Sequence, residues 1–179
     1  LDGDGRMDIV FTVWRGDDCV YAVSGRTHKL LWKFRTGGSM YHGVAVADIN
    51  GDRKVEIAFT SRDGYLYLLD RGGKLLWKRE LGEAYPFAPV TLADVNGDGR
   101  YEIVVTVGSV KVFDGSGKLL WSRKLGGRSA RGAAAVDFDG DGCAELVLGA
   151  SDRKVYVLEK PPSPASNHAY DLLDSKPPP

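Results

Sequence analysis

Ala47-Asp-Ile-Asn-Gly-Asp-Arg-Lys-Val-Glu-Ile-Ala58 returns as Ala93-Asp-Val-Asn-Gly-Asp-Gly-Arg-Tyr-Glu-Ile-Val104, and again as Val136-Asp-Phe-Asp-Gly-Asp-Gly-Cys-Ala-Glu-Leu-Val147. The chain opens on the remains of a fourth copy, Leu1-Asp-Gly-Asp-Gly-Arg-Met-Asp-Ile-Val10. Between the last acids of the copies, Asp8, Glu56, Glu102 and Glu145, the steps are 48, 46 and 43 residues. A second landmark keeps the same beat: Lys29-Leu-Leu-Trp32, Lys74-Leu-Leu-Trp77 and Lys118-Leu-Leu-Trp121. A period in the mid-forties suits propeller blades and overlaps helical repeats, so the residues inside the period must decide.

They decide for strands. Each acidic loop is followed by a short β-rich run (9–13, 57–61, 103–107, 146–150), then a turn and an alternating run such as 65–69 or 154–158. A Gly-rich turn follows (71–74, 115–118), then the Leu-Leu-Trp segment, then a small-residue run (43–47, 89–93, 132–136) that enters the next loop. No window carries an apolar stripe of helical period and length. Each repeat therefore reads as a four-stranded antiparallel meander, and stacked meanders of this period are β-propeller blades. The predicted fold is all-β, with about four blades (about 1–36, 37–82, 83–126 and 127–160) belonging to a larger propeller. The small-residue strand suits the crowded axis. The tryptophans are expected on the outermost strand, packed on a neighbouring blade. The first repeat lacks an inner strand, and the fourth shows no Leu-Leu-Trp strand after 155–159. Six of the eight prolines fall in residues 161–179, which read as a linker or disordered tail because repeated prolines cannot donate to a ladder.

The 24 basic and 24 acidic residues cancel, so bulk charge argues against nucleic acid as a partner. No apolar run approaches the ~20 residues of a membrane span. Two cysteines without a CxxC spacing exclude a cysteine-based zinc site; a Cys19–Cys143 bridge requires the first and last repeats to be neighbours. The cancellation of charge conceals a segregation, since thirteen acids lie in the four loops.

Aligned, the loops read Asp-x-(Asn/Asp)-Gly-Asp-Gly-x-x-(Asp/Glu), with side-chain oxygens at positions 1, 3, 5 and 9 and a backbone carbonyl at position 7. Calcium takes six to eight oxygens, and this spacing supplies five ligand groups on one tight turn. The predicted ligands are Asp48, Asn50, Asp52, Lys54 and Glu56; Asp94, Asn96, Asp98, Arg100 and Glu102; and Asp137, Asp139, Asp141, Cys143 and Glu145. The truncated first loop offers Asp2, Asp4, Arg6 and Asp8. Lys54, Arg100, Cys143 and Arg6 enter only through their carbonyls. Arg53 stands where the other loops have a glycine, which strains that turn. A metal-free hairpin explains the Gly-Asp pairs but not an acid at position 9 of every copy.

These loops resemble the calcium-binding FG-GAP (VCBS-type) repeats of integrin α-subunit propellers and bacterial surface proteins. The other half of each blade, as in Val20-Tyr-Ala-Val-Ser-Gly-Arg-Thr-His-Lys-Leu-Leu-Trp-Lys33, resembles quinoprotein-like propeller repeats. The resemblance covers residues 1–159. It implies a secreted or cell-surface propeller, with the periplasm as an alternative location, and adhesion-type binding of a protein or carbohydrate; it supplies no ligand identity. His28, His42 and His168 are scattered over different repeats, no nucleophile elbow or phosphate loop appears, and the paired acids all sit in the metal-like loops. A binding or scaffold module is favoured over part of a polysaccharide lyase or hydrolase or a quinoprotein dehydrogenase, and the enzymatic alternative stays open. Meander geometry places the acidic loops on one rim. The opposite rim receives Trp14, Arg15, Tyr41, His42, Arg62, Tyr85, Phe87, Arg128 and Arg131, a composition suited to protein or sugar contacts.

Overall fold

The computed structural model describes residues 1–14, 16–82, 89–129, 131–159 and, as a strand of backbone, 168–171. Among these, Arg15, Tyr85 and Phe87 of the expected rim have no place. Among the described residues all regular elements are strands, grouped in four antiparallel sheets. The first sheet holds β1 (Ile9–Thr12), β2 (Cys19–Val23) and β3 (Leu30–Arg35). The second runs β4 (Ala45–Ala47), β5 (Glu56–Thr60), β6 (Tyr65–Asp70) and β7 (Leu75–Glu80). The third runs β8 (Thr91–Ala93), β9 (Glu102–Val107), β10 (Ser109–Phe113) and β11 (Leu119–Lys124). The fourth runs β12 (Ala134–Val136), β13 (Glu145–Gly149), β14 (Lys154–Leu158) and β15 (His168–Asp171). Each sheet keeps its strands in chain order, which is the meander of a propeller blade.

The apolar cores lie between sheets, and the two faces of one strand feed two different cores. On β6, Tyr67 and Leu69 join Ile57, Phe59 and Val20 between the first and second blades. Leu66 and Leu68 point the other way and join Ile103, Val105 and Phe113 of the third blade. Val104, Val110 and Val112 in turn meet Leu146, Leu148, Tyr156 and Leu158 of the fourth. Burial on both faces is why β5, β6 and β9 read as nearly continuous apolar runs rather than clean alternations. A fully buried leucine such as Leu66 contributes about 1.5–3 kcal/mol relative to exposure.

The outer strands carry the tryptophans as expected. Trp32 Nε1 donates to the Arg71 carbonyl (2.9 Å) and Trp77 Nε1 to the Gly115 carbonyl (3.0 Å), each on the β-turn of the following blade. A shift in register precedes each tryptophan: Leu75 pairs Leu69 while Trp77 pairs Leu68, so Leu76 is an extra residue. The same bulge recurs at Leu31 and Leu120. A bulge turns the strand locally, and here it coincides in all three blades with the residues leading into the ring.

One expectation is corrected. The fourth blade does have an outer strand, β15, drawn from the proline-rich segment that was read as linker or tail; Val155 pairs Tyr170 and Val157 pairs His168. The residues 168–171 themselves contain no proline, so the ladder is chemically free to form there. Cys19 and Cys143 are both buried thiols rather than a bridge.

Candidate metal loops and the two rims

Each acidic loop is closed first by its own carboxylates. Asp94 accepts the Gly97 N–H (2.7 Å) on one oxygen and the Gly99 N–H (2.8 Å) on the other. Asp137 does the same with Gly140 and Gly142, and Asp48 with Gly51 and Arg53. Position 3 accepts the N–H of position 5, and position 5 accepts that of position 7: Lys54 (2.8 Å), Arg100 (2.9 Å), Cys143 (2.7 Å) and Arg6 (2.8 Å) donate to Asp52, Asp98, Asp141 and Asp4. Arg53 takes φ 65°, the left-handed conformation that the neighbouring loops give to glycine, at a cost of about 1–2 kcal/mol.

The position-9 acid is a different kind of group. Glu56, Glu102 and Glu145 open strands β5, β9 and β13 and are buried. Each accepts the backbone N–H of position 2, from Ile49 (2.9 Å), Val95 (3.0 Å) and Phe138 (2.7 Å). The carboxylate therefore pins the start of the loop to the strand that follows it, a task that needs no metal and that the sequence reading did not supply. Burial, with the charges of Asp98 and Asp94 adding to it against the Val95 N–H, pushes the Glu102 carboxyl up to about 7. Burial likewise raises Glu56, opposed by the Ile49 and Asn50 N–H groups.

Carboxylate oxygens converge within 4.8 Å of one another in two loops: Asp2, Asp4 and Asp8, and Asp137, Asp139 and Glu145. In the middle loops an asparagine takes the third place. Asn50 Nδ2 donates to Glu56 (3.1 Å), and Asn96 Nδ2 donates to Glu102 (2.7 Å) and Asp98 (3.2 Å). In the first loop Arg26 supplies positive charge, its Nε bonding Asp4 at 2.7 Å. Successive loops adjoin: the Ala144 N–H donates to the Asp94 carbonyl (2.8 Å), and a methyl added at Gly97 would lie 2.9 Å from Cys143 Sγ.

On the opposite rim the links between blades are clasped. Asp63 accepts the Tyr67 hydroxyl (2.5 Å) and the Gly37 N–H (2.9 Å) of the β3–β4 connection. Asp152 accepts the Tyr156 hydroxyl (2.5 Å), which also accepts the Gly126 N–H (3.1 Å). Asp17 accepts the Tyr21 hydroxyl in the first blade. The third blade has Lys111 in the tyrosine's place, and its Nζ donates to the Leu81 carbonyl (2.5 Å). The Asp-x-x-x-Tyr spacing was readable at 17–21, 63–67 and 152–156 and was missed. Of the expected rim residues, Trp14, Tyr41 and Arg62 come together, whereas Arg128 and Arg131 are exposed near the fourth blade.

The lambda-carrageenase β-propeller domain family matches residues 9–105, and the FG-GAP repeat matches residues 129–158. The lambda-carrageenases of Pseudoalteromonas sp and Pseudoalteromonas carrageenovora are each 33% identical over 99 residues, 55% of this chain and 10% of theirs. The chain thus spans only a small part of the curated relatives it matches. Among solved structures, BamB from Moraxella catarrhalis superposes with TM-score 0.63 at 15% identity, over 87% of this chain and 44% of that one. The Pseudomonas aeruginosa PilY1 C-terminal domain gives TM-score 0.64 at 17% identity, over 85% and 38%. BBS1N, crystallised in complex with ARL6DN, gives TM-score 0.62 at 19% identity, over 94% and 51%. At these identities the likeness is one of fold.

Proposed function

From the premise that this chain belongs to the lambda-carrageenase β-propeller domain family, its match covering residues 9–105, we propose that it is a calcium-stiffened propeller module that binds a protein or carbohydrate at the cell surface or outside the cell. The observation that carries the calcium part is the convergence of Asp137, Asp139 and Glu145 oxygens within 4.8 Å. Three carboxylates at that separation repel, and a hard divalent cation is the group that relieves them. Asp141 and the Cys143 carbonyl would complete the set, and the second and third loops would use Asp48, Asn50, Asp52, Lys54 and Glu56, and Asp94, Asn96, Asp98, Arg100 and Glu102. There the asparagine would turn its oxygen inward, replacing the Nδ2–carboxylate bonds. In the first loop Asp2, Asp4, the Arg6 carbonyl and Asp8 would have to displace Arg26. Calcium held by these residues would neutralise the loops that join β4 to β5, β8 to β9 and β12 to β13. The test is thermal melting after EDTA treatment, with calcium or magnesium restored. Calcium should raise the melting temperature and magnesium should do so poorly; a curve indifferent to both overturns the reading.

A second reading, that the module is part of a polysaccharide-degrading enzyme, is favoured by the 33% identity to proteins named lambda-carrageenase. Release of reducing ends from carrageenan by the purified full-length protein would support it, and their absence alongside retained binding would leave the module reading alone.

A further inference from the structure

Trp14, Tyr41 and Arg62 come from three separate segments, the β1–β2 loop, the β3–β4 connection and the β5–β6 turn. The Trp14 and Tyr41 rings lie 5.5 Å apart at 48°, and Trp14 is 52% exposed. Arg62 Nη1 donates to the Tyr41 hydroxyl (3.0 Å), and its guanidinium carbon stands 5.4 Å over the Tyr41 ring. The platform is held from below. Met40 is buried in the core between the first two blades. Thr12 Oγ1 donates to the His42 carbonyl (2.8 Å), so both neighbours of Tyr41 are fixed. The Arg62 N–H donates to the Ser39 carbonyl (3.0 Å), which ties the arginine's turn to the same connection. An aromatic pair and an arginine held this way form a preorganised surface whose ordering cost is met on folding rather than on binding.

We propose that this cluster binds an acidic polysaccharide, a polymer of pyranose rings carrying sulfate or carboxylate groups. The exposed Trp14 ring offers an apolar face to the C–H face of a sugar ring, while the guanidinium makes charge-assisted hydrogen bonds to an anion beside it. Besides Arg62, the exposed Arg128, Arg131 and Arg153 stand along this rim, while the carboxylates of Asp17, Asp63 and Asp152 keep their charge and each accept a tyrosine hydroxyl. A polyanion would meet arginines among these separate acids here, and would meet clustered acids on the other rim. The inference rests on the binding-module reading but not on calcium, because none of its residues lies in an acidic loop.

The test is affinity electrophoresis of the chain through gels containing carrageenan, polygalacturonate or dextran, with a melting curve for every variant. The wild-type chain should be retarded by the two acidic polymers and not by dextran. Trp14→Ala and Arg62→Gln should each weaken retardation by about tenfold, the loss of one good contact, with the fold intact. Leu30→Ser, an exposed change on β3 away from the cluster, should leave it unchanged, and Trp14→Phe should keep most of it. Absence of retardation, equal retardation by dextran, or full retardation of both Trp14→Ala and Arg62→Gln would overturn the proposal. Retardation lost in Leu30→Ser would do the same. If Trp14→Ala and Arg62→Gln abolish capture of a protein instead, with no polysaccharide retained by wild type, the ligand is a protein and the proposal fails. A calcium-independent melting curve with normal retardation would reject the metal reading and leave this one standing.

Discussion

Replacing Gly117 by alanine tests whether the tryptophan seats hold the blades together. Gly117 has φ 81°, and a Cβ there would lie 2.8 Å from Trp77 Cδ2, 3.0 Å from Cε2 and 3.1 Å from Arg79 Cζ. Two costs follow. The left-handed backbone costs an alanine about 1–2 kcal/mol. Pushing aside the half-buried ring costs about 1–3 kcal/mol more, because Trp77 is tethered to the Gly115 carbonyl and Arg79 to that of Gly117 (2.7 Å). Gly82 is the internal control. Its φ is 73°, but the nearest atom to an added Cβ is Lys111 Nζ at 3.8 Å, an ordinary van der Waals contact. Gly82→Ala should therefore cost only the backbone part, about 1–2 kcal/mol, against a total of about 2–5 kcal/mol for Gly117→Ala. Urea unfolding followed by circular dichroism measures both. In the Gly117→Ala background, truncating Trp77 to alanine should cost less than in wild type, because there the truncation also relieves the clash. Equal costs at positions 82 and 117, with additive double mutants, would show that the ring does not sit in the glycine seat.

Burial raises the Tyr67 hydroxyl above its ordinary value, and the bond to Asp63 adds to the rise. The folded state then holds the proton more tightly, so stability is complete below about pH 10 and falls as pH rises above it; Tyr67→Phe should flatten that alkaline decline in pH-dependent melting. Lys111→Met removes the donor to the Leu81 carbonyl and should cost about 1 kcal/mol in urea unfolding, with no change expected if that bond is not formed in solution. Both cysteines should resist a thiol reagent in the folded chain and react after denaturation, since Cys19 and Cys143 are buried and unbridged; no reactive thiol under denaturing, non-reducing conditions would show a bridge between them.

The blade period was legible because two kinds of residue recur for separate physical reasons. The acids keep their places through turn chemistry, and the tryptophans through the glycine turns they cover. What the period could not reveal were features that differ between copies. β15 contains neither the Leu-Leu-Trp landmark nor an acidic lead, so nothing in 168–171 announced a strand beside β14. Lys111 replaces the tyrosine that clasps the other blades, which hid the clasp from a search for repeated motifs. Position 9 was read as a metal ligand because turn chemistry left it unexplained. The N–H bonds from Ile49, Val95 and Phe138 now give that acid a structural task of its own. Sequence placed Trp14, Tyr41 and Arg62 on one rim, but only the approach of neighbouring blades shows that these three meet and Arg128 stands apart.

The calcium claim meets its most direct test in the stoichiometry of binding. Equilibrium dialysis of the chelator-stripped chain against calcium, read by elemental analysis, should find calcium bound at the complete loops. The variant Asp137→Ala with Asp139→Ala should bind one ion fewer while keeping the folded circular dichroism spectrum. A wild-type chain that binds no calcium at millimolar concentration, or a double variant that binds as many ions as wild type, would contradict the account.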